Sequence, residues 1–261
     1  VNQKRLFKSL AQEARRTGRP SEDVSRVCER VRLISDICGE QTSSHQMLFR
    51  LGTTLLRGDV HIIAPACPDY SHQDGKYTFR TLGSGVSLLA EHQIAFLKRV
   101  SDILDSRFTI LIADQEALDS GLQKALGLSM EDFQRRVLGS LRATQEIVQP
   151  LGWAAEAMTS FFPDLLEREE EEEEAILADS SLLPKVERDS YFRSEMYRKI
   201  LGPLSTLEQF RERTLRTAAQ YRAVAALAAN KGLVVSNHST TNLSWYKTAG
   251  TAVLHNAVSV Y

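Results

Sequence analysis

Cys67 is the residue of this 261-residue chain whose type and setting best suit covalent chemistry. It follows a short apolar run, Val60-His61-Ile62-Ile63-Ala64, that ends at Pro65, and Pro68 comes directly after it. A turn there would present the thiol at the edge of a sheet, where nearby donors or a helix N-terminus activate it as a nucleophile. The alternative for a lone cysteine is a small buried residue at a strand end. His238 and His255 stand in a polar tail beside Asn237 and Asn256, where they reach a cleft or hydrogen-bond their own loop. None of the six histidines forms HxxxH, HExxH or a zinc-spaced pair with cysteine, so no metal site is expected. Arg135, Arg136 and Arg142 belong to one helical segment, with Lys124 just upstream. Positions 135 and 142 share a face that either meets nucleic-acid phosphates or is simply solvated.

These residues need elements to position them. The run from Val60 is β-branched and continuous, which predicts a buried strand. A polar loop follows, then a helix from about Gly85 to Leu104, with Leu89, Phe96, Val100 and Ile103 inward. Phe108 to Ala113 predicts a second buried strand, and Asp114 comes directly after it. Strand, helix, strand in that order is a right-handed βαβ unit, and ligands of such sheets bind beyond the carboxyl ends of the strands. Cys67 and Asp114 both fall there. Elsewhere, Ser21 starts a helix that Gly39 closes, and Cys28 and Cys38 sit on its apolar stripe as core residues. Ser129 and Asp132 form a capping-box variant opening a helix to Val148, stopped by Pro150. Trp153 to Leu166 reads as helical, and Glu167 through residue 190 as an exposed acidic connection. Ser205 and Glu208 start a long helix to Asn230, closed by Gly232, and Leu233-Val234-Val235 is a third strand. The fold class is therefore α/β: a Rossmann-like parallel sheet of three to five strands flanked by many helices, in a single domain over 1–261.

Composition narrows the function classes. Apolar residues make up 43% and charged residues 25%, which excludes a disordered or collagen-like chain. The net charge of −1 hides a split, because Glu167 and Glu169 to Glu174 form one acidic block. Without the segment 167–174, 31 basic residues face 26 acidic ones, a mildly basic body that suits a polyanion partner. Three cysteines make no disulfide framework, which suits a reducing cytoplasm. The longest apolar runs fall far short of a membrane helix, so no membrane partner is expected. G-x-G-x-x-G, G-x-x-x-x-G-K-S/T and G-x-S-x-G are all absent, and Gly83-Ser84-Gly85 is only a short anion-binding signal.

The order of these segments resembles the tRNA-dependent cyclodipeptide synthases. Cys67-Pro68 falls where that family has the Ser-Pro step that ends its first strand, and Tyr70 and Ser71 follow in the same turn. Phe108 to Asp114, Ala125-Leu126-Gly127, the helix with three arginines and Ser259-Val260-Tyr261 come in the family's order. The chain differs in carrying cysteine for serine, Tyr70 for asparagine and Ala225 four residues after Tyr221. The resemblance implies a transferase that forms a cyclic dipeptide from two aminoacyl-tRNAs through a covalent aminoacyl-enzyme. It implies Cys67 as nucleophile, with Tyr261 and Tyr70 or His238 orienting the amine. It assigns Pro65, Ser71 and Asp114 to the substrate, and Lys124, Arg135, Arg136 and Arg142 to tRNA. The ester already carries the activation energy, so no cofactor is called for. A second, smaller resemblance is to the isocyanide synthases, carried by Pro65-Ala66-Cys67-Pro68, Leu82-Gly83 with Glu91, and Asp114. It implies isonitrile formation on an amino acid with a pentose phosphate. A tRNA- or protein-binding module without catalysis is the third expectation.

Overall fold

The computed structural model describes residues 3–38, 45–58, 60–66, 91–118, 123–124, 127–186, 188, 206–237 and 252–255. Helices α1 (Gln3–Arg16), α2 (Ser21–Cys38) and α3 (His45–Arg57) precede strand β1 (Val60–Ala66). Helix α4 (Glu91–Leu104) leads to β2 (Ser106–Ile112). Helix α5 (Met130–Val148), β3 (Ala154–Ala157), α6 (Leu165–Ala178) and α7 (Leu207–Asn230) follow, then β4 (Val234–Asn237) and β5 (Ala252–His255). The strands form one five-stranded sheet in the order β3-β2-β1-β4-β5. β1 pairs in parallel with β4 through Ile62 with Val234 and Ile63 with Val235, and β4 pairs in parallel with β5. This is the α/β, Rossmann-like architecture that the βαβ reading called for. Ile62, Ile63, Ile110, Leu111, Val234 and Val235 are fully buried, as continuous apolar strands are when both sheet faces are covered.

The chain divides into two compact units. The first comprises 1–64, 91–109 and 228–260. In it α1, α2 and α3 pack together through Leu6, Leu10, Val31, Ile34, Leu48 and Leu51. A Cβ on Gly52 would stand 2.6 Å from a Leu10 methyl, so glycine is what lets α3 approach α1 so closely. The second unit comprises 65–90, 110–227 and residue 261. Its α5 starts as the capping box requires: the Asp132 N–H donates to the Ser129 hydroxyl oxygen at 3.1 Å. At the end of α7, Gly232 takes φ +67°, and its N–H and that of Leu233 close the helix on the Ala229 and Ala228 carbonyls.

Three expectations are corrected. Over 167–186, the described part of the expected connection at 167–190, the chain is not simply exposed: α6 runs through the glutamates to Ala178, and Glu172, Ile176, Leu182 and Val186 are buried. Leu165 and Ile176 supply the apolar anchors of that helix, eleven residues or three turns apart. Trp153 to Leu166 is not one helix: Ala154–Ala157 is strand β3, followed by a single helical turn at Met158–Phe161. Nothing local favours a strand in Ala-Ala-Glu-Ala; sheet pairing and the bond from the Gln145 side-chain amide to the Ala155 carbonyl, 3.0 Å, hold it. β1 does not stop before Pro65 but continues through it to Ala66. Pro65 is buried, and the ladder simply lacks one donor near the strand's end.

Candidate functional site

In the order β3-β2-β1-β4-β5 the chain reverses its direction of strand addition between β1 and β4. That is a topological switch point, and ligands of open α/β sheets bind beyond the carboxyl ends of the strands there. β1 ends at Ala66 and β4 at Asn237. Cys67 and His238 are the next residues of the sequence after those two ends. Cys67 and His238 themselves, with Tyr70, Ser71 and Tyr261, lie outside the described residues. Pro65, assigned to the substrate, is part of the strand and buried.

The carboxyl end of β2 is built in detail. The Ala113 N–H donates to the Ala66 carbonyl at 2.9 Å, extending the ladder by one residue beyond β2. Asp114 then opens a 3-10 turn, Asp114–Leu118. Its carboxylate accepts the Thr159 N–H at 2.9 Å and the Thr159 hydroxyl as well. Asp114 therefore ties the end of β2 to the turn that follows β3, and both its oxygens are engaged within the protein. Beside it, the Gln115 side-chain amide donates to Glu169 of α6 at 3.0 Å, while its buried carbonyl oxygen has no hydrogen-bond partner among the described residues.

A second polar group, which sequence reasoning missed, joins α6 to α7. Glu172 accepts from Arg168 and from Arg222, each at 2.5 Å. The Glu172 and Arg222 side chains are only 7% and 11% exposed, so this is a buried ion pair with a half-exposed third member. Arg168 and Glu172 stand four apart, a helical signal visible in the sequence, but the six consecutive glutamates around it read as solvated. Arg222, fifty residues away, carries no local mark of its partner.

The basic helix is placed as expected and electrostatically occupied in part. Arg135 donates to Glu131 at 2.9 Å and to Asp132 at 2.5 Å, all three on the surface. The hydrogen bond to Glu131 raises the Arg135 pKa, and the bond from Ser129 together with the arginines lowers that of Asp132. Arg136 is half-buried, whereas Lys124 and Arg142 are exposed and make no ion pair among the described residues. At the other end of β1, His61 shares a 2.8 Å hydrogen bond with the buried Thr109 hydroxyl of β2. Burial, aided by the charge of Arg107, lowers the His61 pKa.

Compared with family models, curated proteins and solved structures, the chain matches none. Among the described residues no three or more His, Cys, Asp or Glu gather as metal ligands, and no helix is long and apolar enough to cross a membrane.

Proposed function

We propose that the chain is an aminoacyl transferase that takes amino acids as tRNA esters and joins two of them into a cyclic dipeptide. The supporting observation is the strand order, which makes the ends of β1 and β4 the switch point, with Cys67 and His238 next in the sequence. The Cys67 thiolate attacks the ester carbonyl carbon. A C–S bond forms, the ester C–O bond breaks, and the tRNA leaves as its free hydroxyl after taking a proton. The amine of a second aminoacyl-tRNA displaces the thiolate, forming the peptide bond. The first residue's amine then attacks the remaining ester and closes the ring, releasing the second tRNA. Tyr70, Tyr261 and His238 are the groups proposed to orient the amine, and rate comes from positioning and oxyanion donors. Because both its oxygens face Thr159, Asp114 is proposed as a positioning residue for the end of β2 rather than a contact to substrate. Lys124 and Arg142 are proposed to hold tRNA phosphates more directly than Arg135, which a phosphate must first win from Glu131 and Asp132.

The second reading is isonitrile formation on a free amino acid with a pentose phosphate, which needs no tRNA face. Labelled aminoacyl-tRNA separates the two. The first reading expects base-labile label on the protein, lost in Cys67→Ala, and a cyclic dipeptide in the product mixture by mass spectrometry. No label and no tRNA binding at low salt, together with an isonitrile from free amino acid and pentose phosphate, would replace it with the second. A Cys67→Ala chain that behaves as the parent in every assay would leave only a binding module.

A further inference from the structure

The first turn of α1 is charged against the helix dipole, although Arg15 and Arg16 complement it at the other end. That first turn holds Lys4 and Arg5 with no acid, where a helix N-terminus prefers negative charge. Lys4 and Lys8 lie one turn apart, exposed and without an ion pair among the described residues, and Phe7 between them is half-exposed. Beside Phe7 runs a groove of about 620 Å³ between α1 and α2, walled by Leu6, Cys28, Val31 and Leu48. Burial raises the Cys28 pKa, so that wall stays an uncharged thiol. The acids on the α2 side, Glu29 and Asp36, both turn to Arg32. The groove thus has an apolar floor and a polar rim on which Glu29 and Asp36 engage Arg32, and Lys4 on the α1 wall, with Lys8 one turn further along the helix, is the charge left open.

The outer face of α6 has the opposite character. Leu166 and Leu177 are 44% and 49% exposed, three helical turns apart on one side. Between them on that side stand Glu170 and Glu174, exposed, one turn apart and without an ion pair among the described residues. The glutamate spacing equals that of Lys4 and Lys8, and each pair is accompanied by an apolar surface.

We propose that the outer face of α6 of one copy docks on the α1–α2 groove of a second copy, Glu170 and Glu174 meeting Lys4 and Lys8. The two faces differ, so the contact is heterologous and repeats from copy to copy. One helix on one groove is a small interface, so association is weak, reversible and strengthened by low salt. Sedimentation velocity of the full chain at low salt should show a mean mass that rises with concentration. Lys4→Glu with Lys8→Glu in one chain, and Glu170→Lys with Glu174→Lys in another, should each remain monomeric. All four residues are exposed, and circular dichroism checks that each variant keeps the parent's fold. Mixing the two variants restores opposite charge at every contact and should restore the parent's mass. A parent that is monomeric throughout, variants that associate like the parent, or a mixture that stays monomeric would each overturn the proposal.

Discussion

α5 and α6 carry the same local device, an arginine and a glutamate four residues apart, and the protein uses it in opposite ways. Glu131 and Arg135 of α5 lie 86% and 63% exposed, and the pair ends on the helix that makes it. Arg168 and Glu172 of α6 meet at a carboxylate 7% exposed, to which Arg222 of α7 adds a second guanidinium. A surface pair gains little, because water screens it and two long side chains must be held still. A buried pair is different: its parts cost much if separated, since an unpaired charge then stays out of water. One motif therefore marks a solvated face in one helix and a tertiary clasp in the other.

The sharpest way to break this contrast is Glu172→Ala. It leaves the Arg222 guanidinium buried without its carboxylate, and should cost about 3–5 kcal/mol of unfolding free energy in urea titration. A loss no larger than that of a surface pair would erase the distinction. Replacing Glu172 and Arg222 together by Met should cost less than Glu172→Ala alone, because no charge is then stranded.

Asp114→Ala should have the next largest effect. It removes the acceptor for the Thr159 N–H and hydroxyl, at a cost of about 1–3 kcal/mol. Thermal unfolding measures it, and an unchanged Tm would mean that the end of β2 holds without this tie.

His61 extends the comparison to a neutral partner, the Thr109 hydroxyl. Its pKa is lowered below the ordinary 6.5, so as pH falls through that value the unfolded chain takes up the proton first. Stability contributed by the neutral ring is full above pH 6.5 and declines from there down through the lower folded-state pKa. His61→Gln should flatten this part of the stability–pH curve; a curve of unchanged slope would remove His61 as its source. At the small end, Arg135→Ala should leave Tm unaltered within error and independent of salt, since its pairs are solvated. A clear, salt-sensitive loss of Tm would show that the surface pairs are stronger than their exposure allows.

Several elements were legible because their causes are local. Ser21, Ser129 and Gly232 punctuate helices by backbone chemistry that acts within one turn, and the helices begin or end beside them. The β-branched runs from Val60 and Phe108 became central strands because little but a strand buries so continuous an apolar stretch. α1 was missed: its buried stripe is only Leu6, Leu10 and Ala14, three residues among many charges. α6 was misread because its run of like charge suggests repulsion, and its two anchors, Leu165 and Ile176, lie at the margins of that run.

The site divides along the same line. The sequence determined by itself that chemistry-bearing residues follow strands, Cys67 after the first and Asp114 after the second, since strand ends are set by local apolar patterning. Only the tertiary structure decided that β4 lies next to β1, so that the switch point falls between them. It also decided that Asp114 is held by Thr159, that Ala154–Ala157 is a strand, and that Glu172 is buried against Arg222. The physical reason is range. Caps, periodicity and turn chemistry act over a few residues, and the sequence displays them directly. The environment of a carboxylate depends on which distant segment covers it, and Glu172 and Arg222, 50 positions apart, carry no local record of that meeting.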